Sequence, residues 1–453
     1  MDISEYIFSN AVLKMRKGDH DGALADFAET IRANPKHVDA WSLRGRLENE
    51  AGRPFNGFLH MEAAAQMAPG RHDIWHDRGI IAAAAGYHDI AKASFARSLA
   101  IQETYETHYQ MGNVLCTTME IDAAVDHYKA ALKIDASLAQ LHTNLGIALM
   151  AQGHWREGFN AHRHRFGAPG FPLRPQHDYP LWRGEDLFGK TILLYVEQGF
   201  GDEILGMRFA KTVAALGARV ILSVRPLMFR LAREQEIGNA VIMQHDTPPW
   251  KPDYAAALLD VPAFTDMSPE TVPLKAGYLR PPKRDVGLLW GPGFRVGICW
   301  SSGKRPLQPS TDAMAAEKSL SFADLAPLAR EGVCLVSLQH QHNDDAALRK
   351  FRVTNPMLAV QDFADTAWLI DQLDLVISVD TAVAHLAGAM GKPVWNLVRH
   401  DGLWPWGKAT RETCWYDSMR LYRQSRPLDW KEPLGRLMKD FGALMAEREA
   451  LAG

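Results

Sequence analysis

Apolar positions change their period near Lys190. Beyond it, short β-rich apolar runs alternate with stretches of helical pattern, which predicts a βαβ series and so a parallel sheet. Residues 191–196, 219–224, 240–243 and 254–259 read as strands, and 202–216 and 227–233 as helices. Pro281, Pro282, Gly287, Gly291, Pro292 and Gly293 break the pattern over 280–294. A second series follows, with strands at 295–300, 333–338, 375–379 and 394–398. Its helices fall at 322–330, 344–351 and 381–390, and a final helix at 432–451. Two such domains joined by a Pro/Gly hinge enclose a cleft at the carboxyl ends of their strands.

Before Lys190 the register is 34 residues. It separates Pro35 from Pro69, Trp41 from Trp75, Gly45 from Gly79, and Gly112 from Gly146. Ala23–Phe27, Ala91–Phe95 and Ala124–Tyr128 supply a small residue followed by an aromatic one turn on, so two helices can pack closely. Turns fall at Gly18-Asp19, Ala51-Gly52, Ala85-Gly86 and Gly153-His154. The pattern resembles the tetratricopeptide family over about residues 4–166, as four repeats and a modified fifth. Such repeats stack into a solenoid that holds extended peptide or protein. The fifth ends in His162, Arg163, His164 and Arg165, either a metal or phosphate site or the solvated face of a capping helix. Pro169, Pro172, Pro175 and Pro180 then mark a linker.

Length and composition add exclusions. The 453 residues suggest about three domains. Lys+Arg 50 against Asp+Glu 53 leaves no basic excess for nucleic acid. No apolar run approaches the roughly 20 residues of a membrane span. No secretory signal is visible, and Cys116, Cys299, Cys334 and Cys414 form no C-x-x-C. A cytoplasmic protein is expected.

Three loops carry candidate chemistry. Glu197-Gln198-Gly199-Phe200-Gly201-Asp202 follows a strand and opens a helix. Its glycines permit close backbone approach to a substrate. Asp202 either takes a proton from an acceptor hydroxyl or only caps the helix. Asp380-Thr381, after the strand LVISV, sits where a helix begins, with free N–H groups and the positive dipole end. Those groups suit a diphosphate without metal. His385, one turn on, either donates to a phosphate oxygen or is a satisfied, partly buried histidine. Gly388 and Gly391 permit close helix packing and the exit turn. Ser301-Ser302-Gly303-Lys304 is a third phosphate candidate, and Lys318 an equally plausible cation. The stretch 305–318 reads as a lid or insertion. The only D-x-D, Asp19-His20-Asp21, falls in a repeat turn, away from any sugar-nucleotide metal site.

Taken together, residues 180–425 resemble a bacterial GT-B glycosyltransferase. EQGFGDEILGMRF is similar to a segment of bacterial proteins that join tetratricopeptide repeats to such a domain. QDFADTAWLIDQLDLVISVDTAVAHLAGAMGKPVW is similar to the donor-binding half of the ADP-heptose:lipopolysaccharide heptosyltransferases, family 9. The pairing of repeats and transferase also resembles the O-GlcNAc transferases. The resemblance implies that Asp202 is the general base and that Gln198, Gly199 and Gly201 form the acceptor-side loop. It places the donor's phosphates and sugar at Asp380, Thr381 and His385, within a segment that includes Gly388, and a phosphate contact at Lys304 or Lys318. Gln339 stands where some relatives bind ribose through a glutamate. Repeat-bearing relatives carry H-K-N-D-x-x-R-S after V-G-x-x-W, where this chain has SSGKRPLQPSTDAMAAEKSLS.

The expected architecture is therefore α followed by α/β: a tetratricopeptide α-solenoid at 1–166, a linker at 167–189, and a GT-B pair of Rossmann-like domains. The acceptor-side domain is expected at 190–285, the nucleotide-sugar donor domain at 286–431, and a terminal helix at 432–453. The expected activity is inverting, metal-independent sugar transfer from a nucleotide-sugar to a protein held by the repeats, such as flagellin or another surface protein. No cofactor, nucleic acid or membrane span is expected. A retired transferase serving as an adaptor is the alternative, motivated by the altered 301–319 segment. A GT-B-fold sugar-nucleotide epimerase is a further one.

Overall fold

The computed structural model describes residues 2–171, 174–175, 177–282, 291, 293–303, 315–340, 345–409 and 411–452. The chain forms two compact units, Met1–Ala148 and Leu149–Gly453. The expected hinge at 280–294 lies largely outside the described residues, as do Lys304 and most of the expected lid.

The first unit is a run of antiparallel helix pairs: α1 (Ile3–Arg16) with α2 (His20–Ala33), α3 (Val38–Glu50) with α4 (Pro54–Met67), α5 (His72–Ala84) with α6 (His88–Ile101), and α7 (Tyr105–Thr117) with α8 (Ile121–Ile134). α9 (Ala139–Ala151) runs across the division. The 34-residue register has a physical cause at each recurring position. Gly18, Gly52 and Gly86 take φ of +80°, +75° and +81° in the turns, where a side chain is strained. In the fourth pair Met119 takes that place at φ +64°. Trp41 and Trp75 each return an indole N–H to the carbonyl six residues back, that of Pro35 and of Pro69. In the third and fourth pairs the glycine of the first helix faces the aromatic of the second. A Cβ on Gly79 would lie 2.4 Å from the Phe95 ring, and one on Gly112 2.5 Å from Tyr128. Gly79→Ala is therefore expected to cost about 1–3 kcal/mol of stability, the usual penalty of overpacking. Thermal unfolding of the variant checks it.

In the second unit, strands β1 (Thr191–Tyr195), β2 (Arg219–Val224), β3 (Ala240–Met243) and β4 (Tyr254–Ala257) form a four-stranded parallel sheet in the order β3-β2-β1-β4. Strands β5 (Phe294–Cys299), β6 (Val333–Ser337), β7 (Leu375–Val379), β8 (Val394–Val398) and β9 (Met419–Arg423) form a five-stranded parallel sheet in the order β6-β5-β7-β8-β9. Both are interior sheets, with β1 and β7 buried along their whole length. Their continuous apolar runs reflect cover on both faces. Each order reverses once, beside β1 and between β5 and β7. Ligands of open parallel sheets bind beyond the strand ends at such a switch point.

Several expectations are corrected. The expected strand 254–259 stops at Ala257, and Leu258–Phe264 turns into a 3-10 helix. The expected helix 322–330 ends at Leu325 and becomes 3-10 over Ala326–Leu328, since Pro327 has no N–H to continue it. β9 and the helix Phe363–Asp371 were not anticipated. The region 1–166 spans the division between the two compact units. Helix α10 (Trp155–His162) and the 3-10 turn Arg163–Gly167 belong to the second unit, where Trp155 stacks on Trp415 at 4.6 Å. The end of the expected linker is also structured: Trp182 is buried and bonded to Ala255 of β4.

Candidate functional site

The loop after β1 and the loop after β7 meet. Helix α11 (Phe200–Ala215) begins directly after Gly199, whose N–H donates to Asp202 Oδ2 at 3.0 Å. Asp202 Oδ1 accepts the indole N–H of Trp404 at 2.9 Å. Asp202 thus caps its helix, and an ionised carboxylate keeps further acceptor positions open beyond these two. Gly201 lies on the ring of His385. A Cβ there would come within 2.7 Å of His385 Cδ2, so the first turn of α11 can approach the imidazole only as glycine. The glycine-rich turn of one sheet and the histidine of the other are therefore in contact.

On the second sheet, Thr381 precedes the helix Ala382–Ala389 without capping it. Its hydroxyl instead pairs with Ser378 Oγ at 3.0 Å. The first-turn N–H groups are left without a side-chain acceptor, at the positive end of the helix dipole. Asp380 stands beside this turn, its carboxylate 4.0 Å from Lys318 Nζ and 3.9 Å from His385 Nε2. His385 is buried, stacked on Trp406 at 5.0 Å, and hydrogen-bonded through Nδ1 to the Tyr416 hydroxyl at 2.9 Å. Burial holds its imidazole below the ordinary value, while Asp380 and then Asp202 pull the other way. Burial also pushes the Tyr416 phenol up.

The other expected site residues fall as follows. Gln339 is buried and turned inward. Its Oε1 accepts from the backbone of Trp300 at 3.1 Å and of Ser301 at 2.9 Å, and its Nε2 donates to Ser301 O at 3.2 Å. It fixes the Ser301 loop. The amide both accepts those N–H bonds and returns one, which an ionised carboxylate cannot do. Gly388 is likewise buried, and a Cβ would lie 2.7 Å from the Tyr416 ring. It faces an aromatic ring, not a donor, and bears on the site by letting Tyr416 reach His385. Gln198 is half-buried, with Nε2 enclosed and unpaired. Lys304 lies outside the described residues. Among the described residues, no group of three or more His, Cys, Asp or Glu is arranged to hold a metal.

The cluster at 162–165 fits neither of its expected readings. Arg165 is fully buried and donates to Glu197 Oε1 at 2.6 Å and to Asp260 Oδ1 at 2.7 Å. Burial pushes the Glu197 carboxyl up to about 7, against the pull of Arg165. His162 is buried and stacks on Trp404. Arg165 supports the turn that begins at Glu197 from within, while His164 is exposed.

The sequence reading missed the 404–416 segment. Trp404 holds Asp202, Trp406 lies on His385, and Tyr416 bonds it. Arg423 of β9 braces this segment by donating to the carbonyls of Arg399, His400, Gly402, Gly407 and Ala409. The signal was visible as Trp404-Pro405-Trp406-Gly407, a density of indoles too costly to leave bare in a loop.

The fold and site define a class: a helical-repeat protein joined to two parallel sheets, consistent with a GT-B pair of Rossmann-like domains. Comparison with known proteins agrees. Residues 112–153 match the TPR repeat model, and residues 322–400 match glycosyltransferase family 9 (heptosyltransferase). The chain is a tetratricopeptide-repeat protein with a glycosyltransferase family 9 domain, which implies sugar transfer. It is a distant homologue of Protein FlbA of Caulobacter vibrioides, 26% identical over 462 residues that cover 92% of this chain and 75% of that one. Solved structures with some similarity include MamA, at 17% identity and TM-score 0.35 over 38% of this chain and 98% of that one. Another is YrrB, described as a TPR protein with an unusual peptide-binding site, at 16% identity and TM-score 0.32 over 36% of this chain and 84% of that one. Among the described residues, no helix is long and apolar enough to cross a membrane.

Proposed function

We propose that the chain moves a sugar from a nucleotide-sugar to a hydroxyl of a protein held by the repeats, with inversion and without metal. The acceptor oxygen attacks the anomeric carbon and its proton passes to Asp202. A new O–C bond forms on one face as the bond to the diphosphate breaks on the other, which inverts the centre. The nucleoside diphosphate leaves with the bonding pair onto the uncapped first turn of the helix Ala382–Ala389. That helix end and Lys318 supply the countercharge, as fixed dipoles and cations aimed at developing charge. His385, held neutral by burial and oriented by Tyr416, presents Nε2 toward the Asp380 side.

One observation supports this reading most: Gly201 rests on His385, so the carboxylate of the first sheet and the open helix start of the second face one site. The adaptor reading makes the opposite forecast, no nucleotide-sugar binding at all. Calorimetric titration with UDP-, GDP-, ADP- and CMP-sugars, followed by assay of diphosphate release, separates the two. Binding to one nucleotide class with release dependent on an added protein acceptor is the expected result. No binding to any would leave the adaptor.

A further inference from the structure

A carboxylate held through one oxygen can pivot about that bond. Held through both oxygens, its plane is fixed. Asp202 is held through both. Its Oδ2 accepts the backbone N–H of Gly199 at 3.0 Å, within its own helix turn, and its Oδ1 accepts the indole N–H of Trp404 at 2.9 Å. The second bond comes from the lobe of the other sheet. Trp404 lies between β8 and β9, in the loop that Arg423 braces through the carbonyls of Gly402 and Gly407. The indole is itself locked in place. Its ring meets Phe159 edge-on at 5.6 Å and Trp415 at 5.9 Å, and lies along His162 at 6.2 Å. The same loop grips α11 a second time, since Arg208, further along that helix, donates Nη1 to Trp415 O at 2.8 Å.

We propose that Trp404 is a positioning residue for sugar transfer. It sets the plane of the Asp202 carboxylate from the opposite lobe, so the base is complete only where the two lobes meet. The proposal rests on the reading of Asp202 as general base. The chemistry of indole suits the part. Its N–H donates and cannot accept, so it orients the carboxylate without competing for the acceptor's proton. Each Asp202 oxygen takes one N–H and keeps lone-pair capacity for the acceptor hydroxyl. A reacting group displaced by about 1 Å can lose about 10²-fold in rate, and a bond that fixes a carboxylate acts on that scale.

Two substitutions separate the N–H from the ring. Trp404→Phe keeps an aromatic ring and drops the N–H. Trp404→His keeps an N–H at the equivalent ring position and drops the fused ring. The substrate for the test is whichever of the UDP-, GDP-, ADP- and CMP-sugars binds the wild type. With it, Trp404→Phe is expected to lower kcat for nucleoside-diphosphate release about 10–100-fold at unchanged donor affinity. Trp404→His is expected to recover most of that loss. On an Asp202→Ala background Trp404→Phe should cost nothing more, because residues that act through one contact do not add. The contact is also read without turnover: the indole N–H resonance absent from both Trp404 variants should shift in Asp202→Ala. An unshifted resonance, equal turnover in Trp404→Phe and Trp404→His, wild-type turnover in Trp404→Phe, or a further loss on the Asp202→Ala background overturns the positioning role and leaves the base standing. Wild-type turnover in Asp202→Ala, or binding of none of the four donors, overturns the proposed reaction and this role with it.

Discussion

Asp202→Asn is expected to reduce sugar transfer by about 10²–10⁴-fold, the usual contribution of a positioned base. Nucleotide-sugar affinity is expected to change little, because a base acts in the transition state and not in donor binding. The geometry limits what else the substitution does. Asp202 receives two N–H groups, one from Gly199 and one from Trp404. An asparagine oxygen can keep one of these bonds, while its amide nitrogen faces the other donor. The lost cap costs about 1 kcal/mol, too little to unfold the chain. Steady-state turnover and donor titration on the same preparation separate the roles. Turnover near wild type would reduce Asp202 to its cap and remove the proposed base. His385→Ala is the useful companion, since it opens a cavity against Gly201 and Trp406 and so perturbs binding and turnover together.

What the sequence made legible was whatever repeats or whatever a strand end dictates. The 34-residue register follows from turn glycines and, in the third and fourth pairs, from glycine–aromatic contacts. The bounds of β2, β3, β7 and β8 follow from continuous apolar runs between turns. The two site loops were legible because a parallel strand must deliver its chemistry at its carboxyl end. Contacts remote in sequence stayed hidden. Nothing local says that Trp404 bonds Asp202, 202 residues away, or that Tyr416 reaches His385. The same blindness hid the internal contacts of Gln339 and Gly388. Each sits in a segment of the right pattern, but its side chain or its open side is taken by the protein itself. β9 was missed because Met419–Arg423 is an edge strand that carries two arginines and so lacks the apolar run that marks the interior.

Arg165→Met is expected to destabilise the second unit by about 3–5 kcal/mol at neutral pH, the usual cost of stranding a buried charge. Methionine fills much of the space, so the loss is electrostatic. Arg165 is the fully buried partner of Glu197 and Asp260, and both carboxylates are themselves buried. The pH dependence identifies the cause. With Arg165 present, burial already lifts Glu197 to about 7 from an ordinary 4.5. Without it the folded value rises further, while the unfolded value does not. A carboxyl raised in the folded state gives stability that is present below its unfolded value and lost as pH rises through its folded value. The deficit of the variant should therefore be smallest near pH 5 and largest near pH 8. Urea unfolding at both pH values measures it, and Arg165→Met/Glu197→Gln should recover part of the loss at pH 8 by removing the stranded charge. Equal deficits at the two pH values would mean that packing, not charge, ties Arg165 to Glu197. Because Glu197 opens the turn that carries Gly199, Gly201 and Asp202, the same variant should lose transfer more steeply than stability as pH rises. The turn would loosen over the range in which Glu197 ionises without a partner, before the fold gives way.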